Sequence, residues 1–407
     1  MIQTSIYLDN AATTRIAPEV LEAMMPYLTD GYGNAGSLYR LGRESNTAIQ
    51  KAREQTAFLF GCQPEHILFT SGGSEGNNTV FKGLRRKLLD SGKTHIVVSA
   101  IEHDSVLKAA QSLIKDGFYI TYVKPDAEGK IHPKDIEKAI TPSTGLVSVM
   151  FVNNEVGAIN DVETIGGILK KYSIPFHTDC VQGAGQYPID VDKMGADFAT
   201  ISAHKLHGPK GVGAMYVRNL ELTPLICGGA EQEHGLRGGT ENVCGIVGLG
   251  KACEMTRQNM REDMIWISSL KQRFYMLLCD ELKSLGCNSE YIHVNGLSPI
   301  HPGKILNLRI DGVDGETLLL MLDSKDIFVS AGSACRSHEA EPSHVLTAMG
   351  LTKEESRSSL RFSFSKYNTA DEIKAAAQTV AACISSLRRF ASKELERPVD
   401  KDDACGN

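Results

Sequence analysis

Between residues 64 and 217 the chain alternates short apolar runs with longer segments whose apolar residues recur at helical spacing. The runs are HILFT, HIVVS, YITYV, LVSVMFV, IPFHT, FATIS and VGAMYV. Several are apolar at consecutive positions, as expected of strands covered on both faces in a parallel sheet. Helices are predicted over 75–90, 103–115 and 161–172. This alternation describes an α/β layered fold with a mostly parallel seven-stranded sheet. Farther on, residues 253–282 keep a helical apolar pattern and form a candidate link between two domains. KILNLRI, ETLLLMLDSKDIFV, SLRFSFS and a final helix near 371–390 then describe a smaller α+β unit. No internal repeat appears, and two domains suit a chain of 407 residues.

Composition narrows the classes. A net charge of −6 argues against a nucleic-acid partner, which needs a basic face. The most apolar stretch, GLVSVMFV, is too short for a bilayer span, and MIQTSIYLDN lacks the features of a signal peptide. A cytoplasmic protein with no membrane partner is expected. The ten cysteines are scattered without a CxxC pair, so no metal site is indicated and most should be reduced core thiols.

Ligands of parallel α/β sheets gather at the carboxyl ends of the strands. After HILFT comes SGGSEGNN, where glycines and Ser74 at a helix start would offer backbone N–H groups to an anion. His103 follows HIVVS; a lone histidine is more often a helix cap or surface residue than a catalyst. Asp179 and Gln182 follow IPFHT, and a solvated strand-end carboxylate is the plainer account of Asp179 by itself. Ser202, His204, Lys205, His207 and Lys210 crowd the loop after FATIS. Together these groups suit pyridoxal phosphate (PLP): an amine for a Schiff base, an acid for the pyridine nitrogen and donors for the phosphate. The residues alone do not choose between Lys205 and Lys210.

From YLDNAATT at 7–14 to LRFSFS at 360–365, the chain resembles the NifS/IscS-like cysteine desulfurases, PLP enzymes of fold type I in the class-V aminotransferase family. The matching stretches include FTSGGSEGNN, AIEHDSV, VNNEVGAI, HTDCVQGAG, SAHKLHGPKGVGAMYVR, HGLRGGTEN and SAGSACRSHEAEPSHVLTAMG. The resemblance implies a large PLP-binding domain over 16–258 and a small domain over 1–15 and 259–393 that carries the catalytic cysteine loop, with 394–407 a polar tail. It implies that Lys205 is the Schiff-base lysine, that Asp179 partners the pyridine nitrogen, and that His103 lies over the ring and assists proton transfer. Gln182 would contact the phenolic oxygen, and Gly73, Ser74, Ser202 and His204 would hold the phosphate. Thr240 would reach the phosphate of a neighbouring subunit, which implies a homodimer. Asn154 and Arg361 would bind the substrate carboxylate, whose two oxygens suit the arginine fork. Arg361 also reads as a structural ion pair within a strand, and His207 as a loop residue.

Cys335 matches the family's nucleophile. Its polar loop suits a thiol that must visit the substrate and then carry sulfur outward. Arg336 and His338 would favour its thiolate, and Glu339 and Glu341 would oppose it. The implied reaction converts L-cysteine to alanine with a Cys335 persulfide, whose sulfur passes to an iron–sulfur scaffold or another acceptor protein. Arg15, Tyr39, Ala230 and Glu231 depart from the family's usual residues, and Cys405 in the tail reads as incidental. The rival readings are another PLP reaction on the same scaffold, such as transamination or selenocysteine lysis, and a partner-binding scaffold without turnover.

Overall fold

The computed structural model describes residues 5–219, 221–228, 232–287, 289–331 and 342–395. Cys335, Ala230, Glu231 and Cys405, all singled out from the sequence, lie outside the described residues. The chain opens with a two-residue strand β1 (Ile6–Tyr7) and helices α1 (Pro18–Leu28) and α2 (Arg40–Phe60). Helix α2 stops at Gly61, whose φ of 70° is left-handed and whose N–H caps the carbonyl of Ala57.

An α/β succession follows: β2 (Ile67–Thr70), α3 (Gly73–Asp90), β3 (His95–Ser99), α4 (Asp104–Ser112) and β4 (Tyr119–Val123). It continues through α5 (Pro133–Ala139), β5 (Thr144–Ser148), α6 (Val162–Lys171), β6 (Phe176–Asp179), β7 (Phe198–Ser202) and β8 (Gly213–Val217). The seven strands β2 to β8 form one sheet in the order β2-β8-β7-β6-β5-β3-β4. Only β8 runs against its neighbours, so the expectation of a mostly parallel sheet holds.

The consecutive apolar runs are explained by cover on both faces. Ile67, Phe69, Val97, Val147 and Ile201 pack into one core, with α2 and α6. Leu68, Ile96, Val98, Leu146 and Phe198 point the other way, onto α3 and α4. One boundary differs from the sequence reading. The apolar run LVSVMFV continues to Val152, but β5 ends at Ser148. Beyond it the ladder gives way to irregular pairing: Val149 N–H reaches the His177 carbonyl (3.1 Å), Met150 N–H the Glu102 carboxylate (2.5 Å) and Phe151 N–H the Asp179 carbonyl (3.0 Å), while the Phe151 carbonyl accepts the Asn160 N–H (3.0 Å). Apolarity there reflects core burial, which outlasts the ladder.

The linking helix is longer than its apolar pattern suggests: α7 runs from Val243 to Ser284. Its first half, to Met264, belongs to the sheet core. From Ile267 onward it packs in a separate core with Ile6, Leu8, Phe362 and Phe364. That second core lies against a four-stranded antiparallel sheet of β9 (Ile292–Asn295), β10 (Ile305–Ile310), β12 (Ser330–Ala331) and β13 (Ser359–Ser363). Strand β11 (Ile327–Phe328) pairs in parallel with β1. Helices α8 (Gly315–Asp323), α9 (His344–Ala348), α10 (Lys353–Arg357) and α11 (Ala370–Leu395) complete this part. No described helix is long and apolar enough to cross a membrane. The eight described cysteines are all free; Cys180, Cys253 and Cys383 are buried, whereas Cys227 is exposed, so the core reading fails there.

A buried ion pair fastens the segment before α7 to the edge of the large sheet. Arg53 and Glu233 meet at 2.6 Å with both side chains under a tenth exposed. Glu233 also accepts the Phe69 N–H at 2.7 Å, and Arg53 donates to the Ile67 carbonyl at 2.6 Å. Removing one member strands the other without its counter-charge. Glu233→Ala should therefore cost about 3–5 kcal/mol, read as a lower urea midpoint. Glu44→Ala, which breaks the solvent-exposed Arg40–Glu44 pair, should leave that midpoint essentially unmoved.

Candidate active site

The segments that follow β2, β3, β5, β6 and β7 meet around one cavity of about 360 Å³ at the carboxyl edge of the sheet. Its size falls within the usual range for a bound small molecule. After β2 the chain turns at Gly72, with φ 153°, and α3 begins at Gly73. A Cβ on Gly73 would stand 2.8 Å from Val181 Cγ2, and one on Gly76 would stand 2.6 Å from Thr200 Cγ2. Glycine at both positions lets the helix start close down on the strand ends. Gly73 and Ser74 consequently line the cavity at a helix N-terminus, which favours an anion.

Asp179 ends β6 and is only 3% exposed, so it is no solvated strand-end carboxylate. One oxygen accepts from Asn77 Nδ2 at 2.7 Å and the other from the Val181 N–H at 2.9 Å. His103 is both things the sequence allowed: its Nδ1 caps α4 by accepting the Ser105 N–H at 3.1 Å, and the residue lines the cavity. Gln182 donates through Nε2 to the Ala11 carbonyl at 2.7 Å. Its buried Oε1, like Oδ1 of Asn77, lacks a partner among the described residues.

The fold separates the two lysines that the residues alone could not. Lys205 turns into the cavity, whereas Lys210 is exposed and lies outside the lining. The Lys205 ammonium donates to the carbonyls of Ala11 and Ala12, both at 2.6 Å. Burial, reinforced by the Arg361 guanidinium, pushes its pKa down to about 8 against the pull of Asp9 and Asp179. Ser202 and His204 line the same wall. Burial and the nearby lysines lower His204 to about 4, so it is neutral at pH 7.

Arg361 and Asn154 approach from the opposite side. The Arg361 guanidinium donates to the Asn154 carbonyl and to Asp9, each at 2.8 Å, and its buried Nε has no partner among the described residues. Arg361 therefore both forms an ion pair and lines the cavity. Thr240 is exposed and does not line this cavity. His207 is more than a loop residue: Nδ1 lies 3.0 Å from the Arg15 carbonyl and Nε2 3.3 Å from Ser365 Oγ. The departure at Arg15 also has a local partner, since its guanidinium sits 5.0 Å from the centre of the Tyr367 ring.

Sequence reasoning passed over Asp9, Asn77 and Lys304. Asn77 was within reach of it, because it lies four residues after Gly73 and hence on the same face of α3. Asp9 sits inside YLDNAATT, but nothing local marks it as the partner of a residue 352 positions away.

Taken by their chemistry, these groups fit PLP. A helix N-terminus with two serines nearby suits its phosphate, a buried carboxylate its ring nitrogen and a partly neutral amine its aldehyde. Competitive acylation of the cofactor-free chain, read by peptide mass spectrometry, should show Lys205 half-labelled near pH 8, well below the ordinary lysine range.

The aminotransferase class-V family profile matches residues 6–376. The cysteine desulfurase IscS of Dictyoglomus turgidum is 40% identical over 401 residues, covering 98% of this chain and all of that one. The human protein named cysteine desulfurase is 41% identical over 389 residues, covering 95% of this chain and 82% of its own. Among solved structures, a NifS-like protein superposes with a TM-score of 0.85 at 35% identity, over 94% of this chain and all of that one. A structure described as SspA in complex with cysteine does so at 0.74 and 37%, over 90% of this chain and all of that one. With these likenesses extending over nearly its whole length, the chain belongs to the PLP-dependent cysteine desulfurases of the class-V aminotransferase family.

Proposed function

We propose that this chain takes sulfur from L-cysteine and holds it as a persulfide on Cys335, with Lys205, Asp179 and His103 serving the cofactor site. The observation that carries the reading is one cavity holding a half-buried lysine of pKa about 8, a buried hydrogen-bonded carboxylate and a glycine-rich helix start. PLP, when bound, supplies an electron sink for bonds breaking at the substrate's α-carbon and β-carbon.

The chain's own groups do the rest. Asp179, fixed by Asn77 and the Val181 N–H, would hold its carboxylate toward the ring nitrogen. Gly73, Ser74, Ser202 and His204 receive the phosphate, and Gln182 the phenolic oxygen. Asn154 and Arg361 orient the substrate carboxylate, and the Arg361 Nε is still without a partner among the described residues. Lys205, whose pKa of about 8 leaves a usable fraction of neutral amine at physiological pH, removes the α-proton, and His103 assists proton transfer. The Cys335 thiolate bonds to the substrate sulfur while the carbon–sulfur bond breaks. The electron pair stays on carbon, where protonation gives alanine. Both flanks of the Cys335 segment support this: Ser330 pairs with Arg361 across the sheet, and His344 Nε2 lies 2.9 Å from the Glu102 carbonyl.

The acceptor is an iron–sulfur scaffold or another sulfur-accepting protein. The enzyme works as a homodimer in which Thr240, exposed and away from its own cavity, serves the partner's phosphate. Exposed Leu21, Met25 and Leu28 on α1 support an apolar contact with a second copy.

Incubating the PLP-loaded protein with L-cysteine without reductant, followed by intact-mass analysis and peptide mapping, tests the reading. One added sulfur on Cys335 and released alanine are expected. Lys205→Ala should lower both by at least about 10²–10⁴-fold, the usual worth of positioned proton transfer. A loaded protein that makes no alanine and leaves Cys335 unmodified would reject the proposal.

A further inference from the structure

Asn153 stands one residue before Asn154, yet its side chain takes no part in the lining of the cavity. It is completely buried, and every polar group it carries is engaged. Its Nδ2 donates to the Ile101 carbonyl at 2.9 Å, in the segment that leads from β3 to His103. Its Oδ1 accepts the N–H groups of both Glu155 and Val156, each at 2.9 Å. Its own N–H donates to the Ala158 carbonyl at 2.8 Å, and its carbonyl accepts the Gly157 N–H at 3.1 Å. One side chain thus closes the turn over residues 154–156 and fastens it to the large sheet, as asparagine does when it substitutes for backbone in a turn.

Asn154 begins that turn, and its carbonyl accepts from Arg361 at 2.8 Å. The far side of the turn meets the small sheet, where the Glu155 carbonyl accepts from Asn307 Nδ2 at 3.2 Å. Arg361 is therefore held at two points: one terminal nitrogen donates to Asp9 and the other to the Asn154 carbonyl. A single contact would leave a guanidinium free to swing about it, whereas two fix its plane. That plane decides whether the fork can meet both oxygens of a carboxylate.

We propose that Asn153 is a positioning residue for the substrate carboxylate: by closing the 154–156 turn it places the Asn154 carbonyl where that carbonyl sets the plane of the Arg361 guanidinium. The proposal rests on the reading of Arg361 as the group that binds this carboxylate. An asparagine that served the fold alone would act on stability and cofactor loading, whatever stood at position 361. A positioning asparagine acts on substrate binding, and does so only while position 361 has a plane to set.

A double-mutant cycle in the PLP-loaded, full-length protein, read by steady-state alanine formation from L-cysteine, separates the two. Asn153→Ser keeps a hydroxyl acceptor for the turn but is too short to hold the Ile101 carbonyl as well. It should raise KM about tenfold with kcat changed less than about twofold, the cost of a misplaced hydrogen bond to a charged group. Arg361→Lys keeps the charge, loses the fork and should raise KM by itself. Adding Asn153→Ser to it should cost no more than about a further threefold, because residues that act through one contact are not additive. An equal loss in both backgrounds, a fall in kcat with KM unmoved, or an Asn153→Ser protein that no longer holds PLP overturns the proposal and leaves Asn153 a structural residue of the turn. If Arg361→Lys alone leaves KM unmoved, the reading of Arg361 fails, and the proposal with it.

Discussion

The Ala11 carbonyl accepts hydrogen bonds from both Lys205 and Gln182, and the site is organised around that shared contact. The segment carrying it crosses from the small sheet to the large one. Asn10 donates to the Ser363 carbonyl at 2.9 Å, and the Ala11 N–H donates to Ser363 Oγ at 2.8 Å. A little farther on, Thr14 N–H and Oγ1 both donate to the His204 carbonyl at 2.9 Å. Residues 10 to 14 therefore tie β13 to the turn that holds Lys205. Loss of these bonds would leave buried backbone groups unpaired on both sides, which is costly enough to keep the segment in place.

That crossing also sets the electrostatics. It brings Asp9 to Arg361 and leaves Lys205 only partly exposed, so the cavity holds two cationic side chains, Lys205 and Arg361, beside the buried carboxylate of Asp179. Such a recess attracts an anionic ligand while lowering the proton affinity of its own amines. The lysine is then a usable nucleophile and base near neutral pH for the same reason that the pocket binds a phosphate. Perturbed amines of this kind are characteristic of reaction sites. Here the cause is visible in named neighbours: burial first, Arg361 next.

Much of the architecture was legible because the sheet is covered on both faces, which writes each strand as a short apolar run. All seven runs became strands, and β5 alone ends early, where burial continues with irregular pairing in place of a ladder. The positions of Gly73, His103, Asp179 and the Ser202–Lys205 turn followed from the rule that ligands gather at strand ends. What strand-end reasoning left open were questions of direction and of distance along the chain. Lys205 and Lys210 occupy one loop and look alike until the turn points one inward. Asp179 looks solvated until Asn77 and Val181 close over it.

Lys304 marks the limit most clearly. In PGKILNLRI it is a single lysine before an apolar strand, indistinguishable from a solvated one. Only the fold buries it, in the wall of a small cavity that Lys205, 99 positions earlier, also lines. The sequence by itself determined the order of strands and helices and the chemical groups available at the sheet's carboxyl edge, because both are encoded in local periodicity and in what directly follows each strand. The tertiary structure alone decided which lysine is buried, which carboxylates are paired and which cations confront one another. Those properties depend on desolvation and on charges brought together from remote parts of the chain, and neither leaves a local trace.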